Sequence, residues 1–277
     1  MFIYRSRFLT RAEAWYDDEP SDFRSVDWVL YRLRSCPVPG AKCRDFHNCV
    51  IDLAQTVGEL KARLHDDTAY KIRRARDRDK IRCECCDPND PAVLDRFEEM
   101  YNAFAPTKGL SPLDRARLNG MAAAGVLDLS VARDSQGKAL VFHGNYRDHQ
   151  RASQLHSPSL YPGLSDSATR NMIGRANRYL FWNDILRYKE AGLTRFDFGG
   201  WYAGTTDAAL LRINEFKRGF GGEVRREFEG EQIVTLKGWL VLTVAGLLNR
   251  AKLLSSGSKA PVTQPAAANN HEPAAAV

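Results

Sequence analysis

The residues best suited to chemistry stand in a few short stretches. Asp197 alternates with Phe196 and Phe198 in Arg195-Phe196-Asp197-Phe198-Gly199-Gly200. A strand there puts its carboxylate on the face opposite the two rings, and the glycines after it allow a substrate to come close. A carboxylate so placed is a candidate general base. Its other reading is a turn cap that bonds backbone N–H groups at Gly199-Gly200. Arg170, Asn171, Gly174 and Arg175 stand near the start of a long helical segment. A helix start offers N–H groups and positive potential to a phosphate; the alternative is a solvated first turn. Arg73, Arg76 and Lys80 line up on one face of an earlier helix, and Arg73, Arg74 and Arg76 could meet a phosphorylated substrate or water alone. Lys217 and Arg218 close a helix whose apolar stripe is Ala209, Ile213, Phe216 and Phe220; Lys217 lies off that stripe, and a helix C-terminus favours a cation in any case. His156 ends a strand, either to relay a proton or to hold the Ser157-Pro158 loop, while His143 sits mid-strand and reads as structural. Trp182, Tyr179 and Trp201 are core aromatics or, for Trp201, a stacking platform for substrate.

Composition bounds these possibilities. The chain has 277 residues, 44% hydrophobic and 27% charged, with a formal net charge of +6. That suffices for one large domain or two small ones, and the positive balance favours anionic partners: nucleic acid, phosphorylated carriers or an acidic membrane surface. All six cysteines, Cys36 to Cys86, fall in the first third of the chain. Cys83-Glu84-Cys85-Cys86 resembles half of a zinc site but has no second close pair, so it reads as a strand with two buried thiols and no metal. No segment reads as a secretory signal, and the longest apolar run, Trp239–Leu248, is about half a membrane span. The expected location is cytoplasmic, with reduced thiols. Peripheral contact at the inner face of the cytoplasmic membrane is open to 237–254, where Lys237, Arg250 and Lys252 flank the apolar run.

The elements that must position these residues follow from periodicity and punctuation. Strands are predicted at Phe2–Phe8, Val26–Leu33 and Phe46–Leu53, with a turn at Pro37-Val38-Pro39-Gly40 and a helix over 56–78. From Ile81 the order is strand (Ile81–Cys86), helix (Pro91–Phe104, capped by Asp90), helix (Pro112–Ala124, capped by Ser111), and strands at Leu127–Arg133, Lys138–Tyr146 and Ala152–His156. A long helix over 167–191, a strand at Arg195–Phe198, a helix at Asp207–Gly219 and a strand at Glu223–Phe228 complete it. The expected fold class is α+β, with a mixed, mostly antiparallel sheet flanked by helices. The expected division is an N-terminal extension or partial lobe (1–79), a main domain (80–230), an apolar helix (235–254) and a disordered tail (255–277).

That order is the order of the GNAT fold, short of its last strand. The succession Gly174-Arg175-Ala176-Asn177-Arg178-Tyr179-Leu180-Phe181-Trp182, Tyr188-Lys189-Glu190-Ala191-Gly192, Arg195-Phe196-Asp197-Phe198-Gly199-Gly200 and Asn214-Glu215-Phe216-Lys217-Arg218-Gly219-Phe220-Gly221-Gly222 resembles the FemAB-like transferases and their GNAT-like relatives. The basic Tyr70-Lys71-Ile72-Arg73-Arg74-Ala75-Arg76 is similar to the basic helix of that group, and the likeness spans about residues 60–230. The resemblance implies an acyltransferase moving an acyl or aminoacyl group to an amine. The co-substrate is acyl-coenzyme A or aminoacyl-tRNA, with no tightly bound cofactor; the acceptor is a small-molecule amine or a cell-wall or polysaccharide precursor, as in cell-envelope biosynthesis. It implies a phosphate contact for Lys217, the lysine after phenylalanine, and a place beside the donor cleft for His156. The chain departs from the group in two ways. It is shorter than enzymes with two full lobes and lacks the helical arm some use on tRNA. Its Asn171-Met172-Ile173-Gly174-Arg175-Ala176 begins with Asn where the GNAT pyrophosphate loop has Arg or Gln. The rival reading is a non-catalytic basic module that binds RNA or an anionic membrane through Arg73–Lys80 and the C-terminal helix.

Overall fold

The structure, a computed structural model, describes residues 1–18, 25–160 and 166–255, the last ten by backbone alone. In chain order the elements are β1 (Phe2–Ser6), β2 (Leu9–Trp15), β3 (Trp28–Arg34), β4 (Lys42–Asp52), α1 (Val57–Ala62), α2 (Asp66–Asp77), β5 (Arg82–Cys86), α3 (Pro91–Phe104), α4 (Arg115–Ala123), β6 (Leu127–Arg133), β7 (Ala139–Arg147), β8 (Arg151–His156), α5 (Ser167–Glu190), β9 (Arg195–Gly200), α6 (Ala208–Arg218), β10 (Glu223–Ile233) and α7 (Leu236–Ser255). The α+β class and the predominance of antiparallel pairing hold.

The contacts sort the chain into two compact units. Among the described residues, unit 1 takes Met1–Phe46, Asp114–Ala124 and Arg226–Ser255; unit 2 takes His47–Leu113 and Gly125–Arg225. This grouping is not linear in sequence. The boundary falls inside β4 rather than near residue 79, α2 belongs with the later helices, and α4 belongs with the N-terminal strands. Residues 256–277, where the sequence points to disorder, lie outside the described residues.

In unit 1, β1 and β2 pair antiparallel, β2 and β3 parallel, and β3 and β10 antiparallel. Strand β2 is absent from the sequence expectations because Leu-Thr-Arg-Ala-Glu-Ala-Trp lacks a clean apolar alternation. The reason is Glu13, fully buried. Arg117 of α4 grips it with two bonds of 2.5 and 2.9 Å, and Tyr4 and Trp15 donate to it. Burial alone would favour the neutral acid, but the Arg117 charge outweighs it and holds Glu13 near pKa 2. Helix α4 starts three residues later than expected, because Asp114, not Ser111, caps it through the Arg117 N–H.

In unit 2 the strand order is β4-β9-β8-β7-β6-β5, antiparallel except for β8 with β9. The parallel pair has register over three positions alone, Arg151↔Arg195 to Ser153↔Asp197. Strand β8 runs on to His156 and β9 to Gly200, so the two strands separate at their C-terminal ends. The single helix expected over 56–78 is two. Thr56 caps α1 in a reciprocal box with Glu59, and the chain breaks before α2, whose first turn carries Asp66 and Asp67. The core under α5 is strongly aromatic: Phe181, Phe196, Phe198, Phe216 and Phe220 cluster with Tyr188 and Trp182. Phe181 stands at its centre, within 4.9–6.3 Å of the other four phenylalanine rings.

Candidate functional site

Three helices of unit 2 enclose a cleft of about 730 Å³. Helix α2 contributes Tyr70, Lys71 and Arg74, α5 contributes Asn171, Gly174, Arg175 and Arg178, and α6 contributes Arg212, Glu215, Phe216 and Arg218. The sequence dictates this convergence. Helix α2 buries Thr68, Ile72 and Ala75, which turns the intervening Lys71 and Arg74 toward the cleft. Asn171, Gly174, Arg175 and Arg178 repeat at i, i+3, i+4 and i+7 on α5, one face of a helix. The end of α6 lies directly on the start of α2: the Gly219 carbonyl accepts from the His65 N–H at 3.0 Å. A Cβ at Gly219 would stand 2.5 Å from Thr68 Oγ1, so no larger residue fits there without shifting α2.

The electrostatics of the cleft are unbalanced. Lys71 is paired with Asp67 at 2.8 Å, and Arg175 with Asp79 through bonds of 2.6 and 3.0 Å. Among the described residues, Arg74, Arg178, Arg212 and Arg218 make no ion pair. Arg178 is the most constrained. It is 8% exposed, lies 4.7 Å over the Phe216 ring and donates to the Gly174 carbonyl at 3.2 Å, while its Nε has no partner among the described residues. Burial pulls its pKa down, the mark of a cation short of compensating charge. Arg218 lies 5.2 Å over Trp201, so that ring, half-buried against the aromatic core, supports a cleft cation rather than facing the cleft itself. Four arginines without ion-pair partners, in a cleft whose lining carboxylates are Asp67 and Glu215, leave it with an excess of positive charge of the kind that suits an anion.

Several expectations need correction. Asp197 has no exposed surface. Its Oδ2 accepts from Arg151 at 2.7 Å, Asn48 at 2.8 Å and Ser153 at 3.3 Å, and its Oδ1 from the Gly199 N–H at 2.7 Å. Both oxygens are occupied, so the carboxylate is a buried turn cap and ion-pair member, out of reach of an incoming amine. Lys217 is also fully buried. Its ammonium turns back to the Gly200 carbonyl rather than into the cleft. Burial brings its pKa down to about 8, against the opposing pull of Cys49 and Asp197. His156 is packed edge-on to Tyr101 with ring centres 4.9 Å apart, among aromatics rather than along the cleft. The first turn of α5 is closed to phosphate, because Asp166 already accepts from the Ala168 and Thr169 N–H groups and brings a negative charge. Arg170 does not line the cleft. Arg73 and Arg76 point to solvent, and Arg76 pairs with its neighbour Asp77.

Of the residues singled out in the sequence, Arg74, Asn171, Gly174, Arg175 and Arg218 do meet in one place. Lys71, Arg178 and Arg212 were missed. The stripe from Asn171 to Arg178 on α5 is a signal that would have found Arg178; Arg212 has none in its own helix. His143, expected to be structural, bonds Asp184 through Nδ1 and the Asn177 Oδ1 through Nε2, both at 2.8 Å, with Ser130 also donating to Asp184. Among the described residues no three potential ligands cluster as a metal site, and no helix is long and apolar enough to cross a membrane.

No family model matches the sequence, and no curated protein matches it. Solved structures do. FemX superposes with a TM-score of 0.55 at 14% identity, over 68% of this chain and 61% of FemX. The C-terminal domain of a putative lysylphosphatidylglycerol synthetase from Agrobacterium fabrum superposes with a TM-score of 0.53 at 14% identity, over 89% of this chain and 85% of that one. The chain thus spans less than two thirds of FemX and most of the synthetase domain. With strands that separate after β8 and β9, the protein shares the fold of FemX and of that synthetase domain.

Proposed function

We propose that the protein transfers an acyl or aminoacyl group from a phosphorylated carrier, acyl-coenzyme A or aminoacyl-tRNA, to an amine. The observation that carries this reading is the set of four arginines without carboxylate partners around the α2–α5–α6 cleft. They suit the phosphates of a carrier. In the reaction the amine nitrogen forms a C–N bond to the carbonyl carbon as the carrier's C–S or C–O bond breaks. The proton lost by the amine ends on the departing sulfur or oxygen. No side-chain carboxylate is required for that balance. Held geometry supplies the rate. The acceptor class we favour is an amine on a cell-envelope or polysaccharide precursor, and the working location is the cytoplasm.

The test is direct binding of coenzyme A and of aminoacyl-tRNA, each with the wild type and with Arg178→Met and Arg218→Ala, followed by turnover with a panel of amines. Binding of one carrier that both substitutions weaken, with amide formation, supports the proposal. Neither carrier binding, or no amide with any amine, removes it. Anion binding without turnover would favour the basic-module reading.

A further inference from the structure

One face of α7 lies in unit 1 with no partner among the described residues. The start of the helix is fixed on Asp27: Thr235 donates to its carboxylate at 2.7 Å and Lys237 at 2.8 Å. Thr235 in turn accepts from the Gly238 N–H at 3.0 Å. Gly238 faces inward, where a Cβ would stand 2.6 Å from the Asp27 carbonyl oxygen. These contacts set the rotation of the helix about its axis. The opposite face then presents Leu236, Trp239, Leu240 and Val244, exposed by 73, 52, 50 and 53%. They fall at i, i+3, i+4 and i+8, a single stripe. Large apolar residues scattered singly are ordinary, whereas a contiguous group marks an interaction surface.

Charge selects the occupant. Lys237 is neutralised by Asp27, but the sequence of α7 adds Arg250 and Lys252 and no acidic residue, in a chain of net charge +6. Two copies packed through this stripe would oppose like charges. An anionic bilayer complements them, and a tryptophan beside leucines suits the headgroup boundary. We infer that α7 docks the protein on an anionic lipid surface, lying in the interface with Leu236, Trp239, Leu240 and Val244 toward the acyl chains. This is independent of the transferase reading.

Flotation of the full chain decides it, with phosphatidylcholine vesicles and with vesicles in which about a third of the lipid is phosphatidylglycerol. We expect binding to the anionic vesicles, weakened by salt, and little to the neutral ones. The uncharged double substitution Leu236→Ser, Leu240→Ser should weaken it about tenfold or more with an unchanged thermal melt. Absence of binding to anionic vesicles, or equal binding by the double variant, overturns the inference. So does a lipid-free dimer, seen by sedimentation velocity, that the double variant dissolves, since the stripe would then belong to a second copy.

Discussion

Arg151 and Asp197 meet at 2.7 Å on adjacent parallel strands, both almost wholly withdrawn from water. The first carboxylate that the sequence offers as a base is therefore a structural anion. Asp197→Ala should cost about 3–5 kcal/mol of stability, because it strands a buried guanidinium. Removing the charge from both partners, as in Asp197→Leu with Arg151→Met, should recover much of that loss. Urea unfolding of the single and double variants measures the coupling. If Asp197→Ala unfolds like the wild type but is inactive, the pair is not structural.

The cleft arginines should behave differently. Arg218 stacks on Trp201 at the cleft wall, so Arg218→Ala should leave folding within about 1 kcal/mol. Its loss of carrier binding should be about 1.5–3 kcal/mol, the range for a hydrogen bond to a charged group. Calorimetric titration at two salt concentrations checks both the loss and its screening.

Lys217 gives a pH signature. Its folded pKa is about 8, below the usual lysine value near 10.4. Between those values the unfolded chain holds the proton that the folded chain has released. Stability therefore rises with pH across that window, and the burial penalty is felt in full below about 8. Lys217→Met removes this dependence. The melting temperature of the variant minus that of the wild type should thus be more positive at pH 7 than at pH 10. A difference independent of pH would mean that Lys217 is not buried as an amine.

Glu13 sets the acid limit of unit 1. Its folded pKa near 2 lies below the usual glutamate value of about 4.3. The stabilisation is complete above the unfolded pKa and is lost as pH falls through about 2. Glu13→Gln should flatten the loss of stability between those values and cost about 3–5 kcal/mol at neutral pH by leaving Arg117 uncompensated. Acid unfolding followed by circular dichroism tests this.

Much of the fold was legible because its elements carry local signals. Asp90 before Pro91, the Asp134–Gly137 turn and Gly192 after the long helix all mark real boundaries. What escaped was decided by distant partners. Glu13 looks like a solvent residue until Arg117 arrives from a segment about a hundred positions later. Asp197, Lys217 and His156 have the types and places of catalytic groups, yet Asp197 and Lys217 are bonded, and His156 is packed, by neighbours that no spacing rule reveals. The cleft was half visible. Charges on single helices can be counted, but which of them face one another depends on how α2, α5 and α6 pack. Hence of Arg73, Arg74 and Arg76 only Arg74 lines the cleft.

The composition of unit 1 from three separated stretches has a bearing on biosynthesis. Strand β3 hydrogen-bonds to β10 along one edge, yet about 190 residues leave the ribosome between them, roughly ten seconds or more of elongation. Over that interval nearly all of unit 2 becomes available, while the edge of β3 waits uncovered, a template for pairing with a neighbouring nascent chain. Chaperone dependence and inclusion-body formation in this protein should therefore track the delay before β10 emerges rather than the stability of the finished molecule.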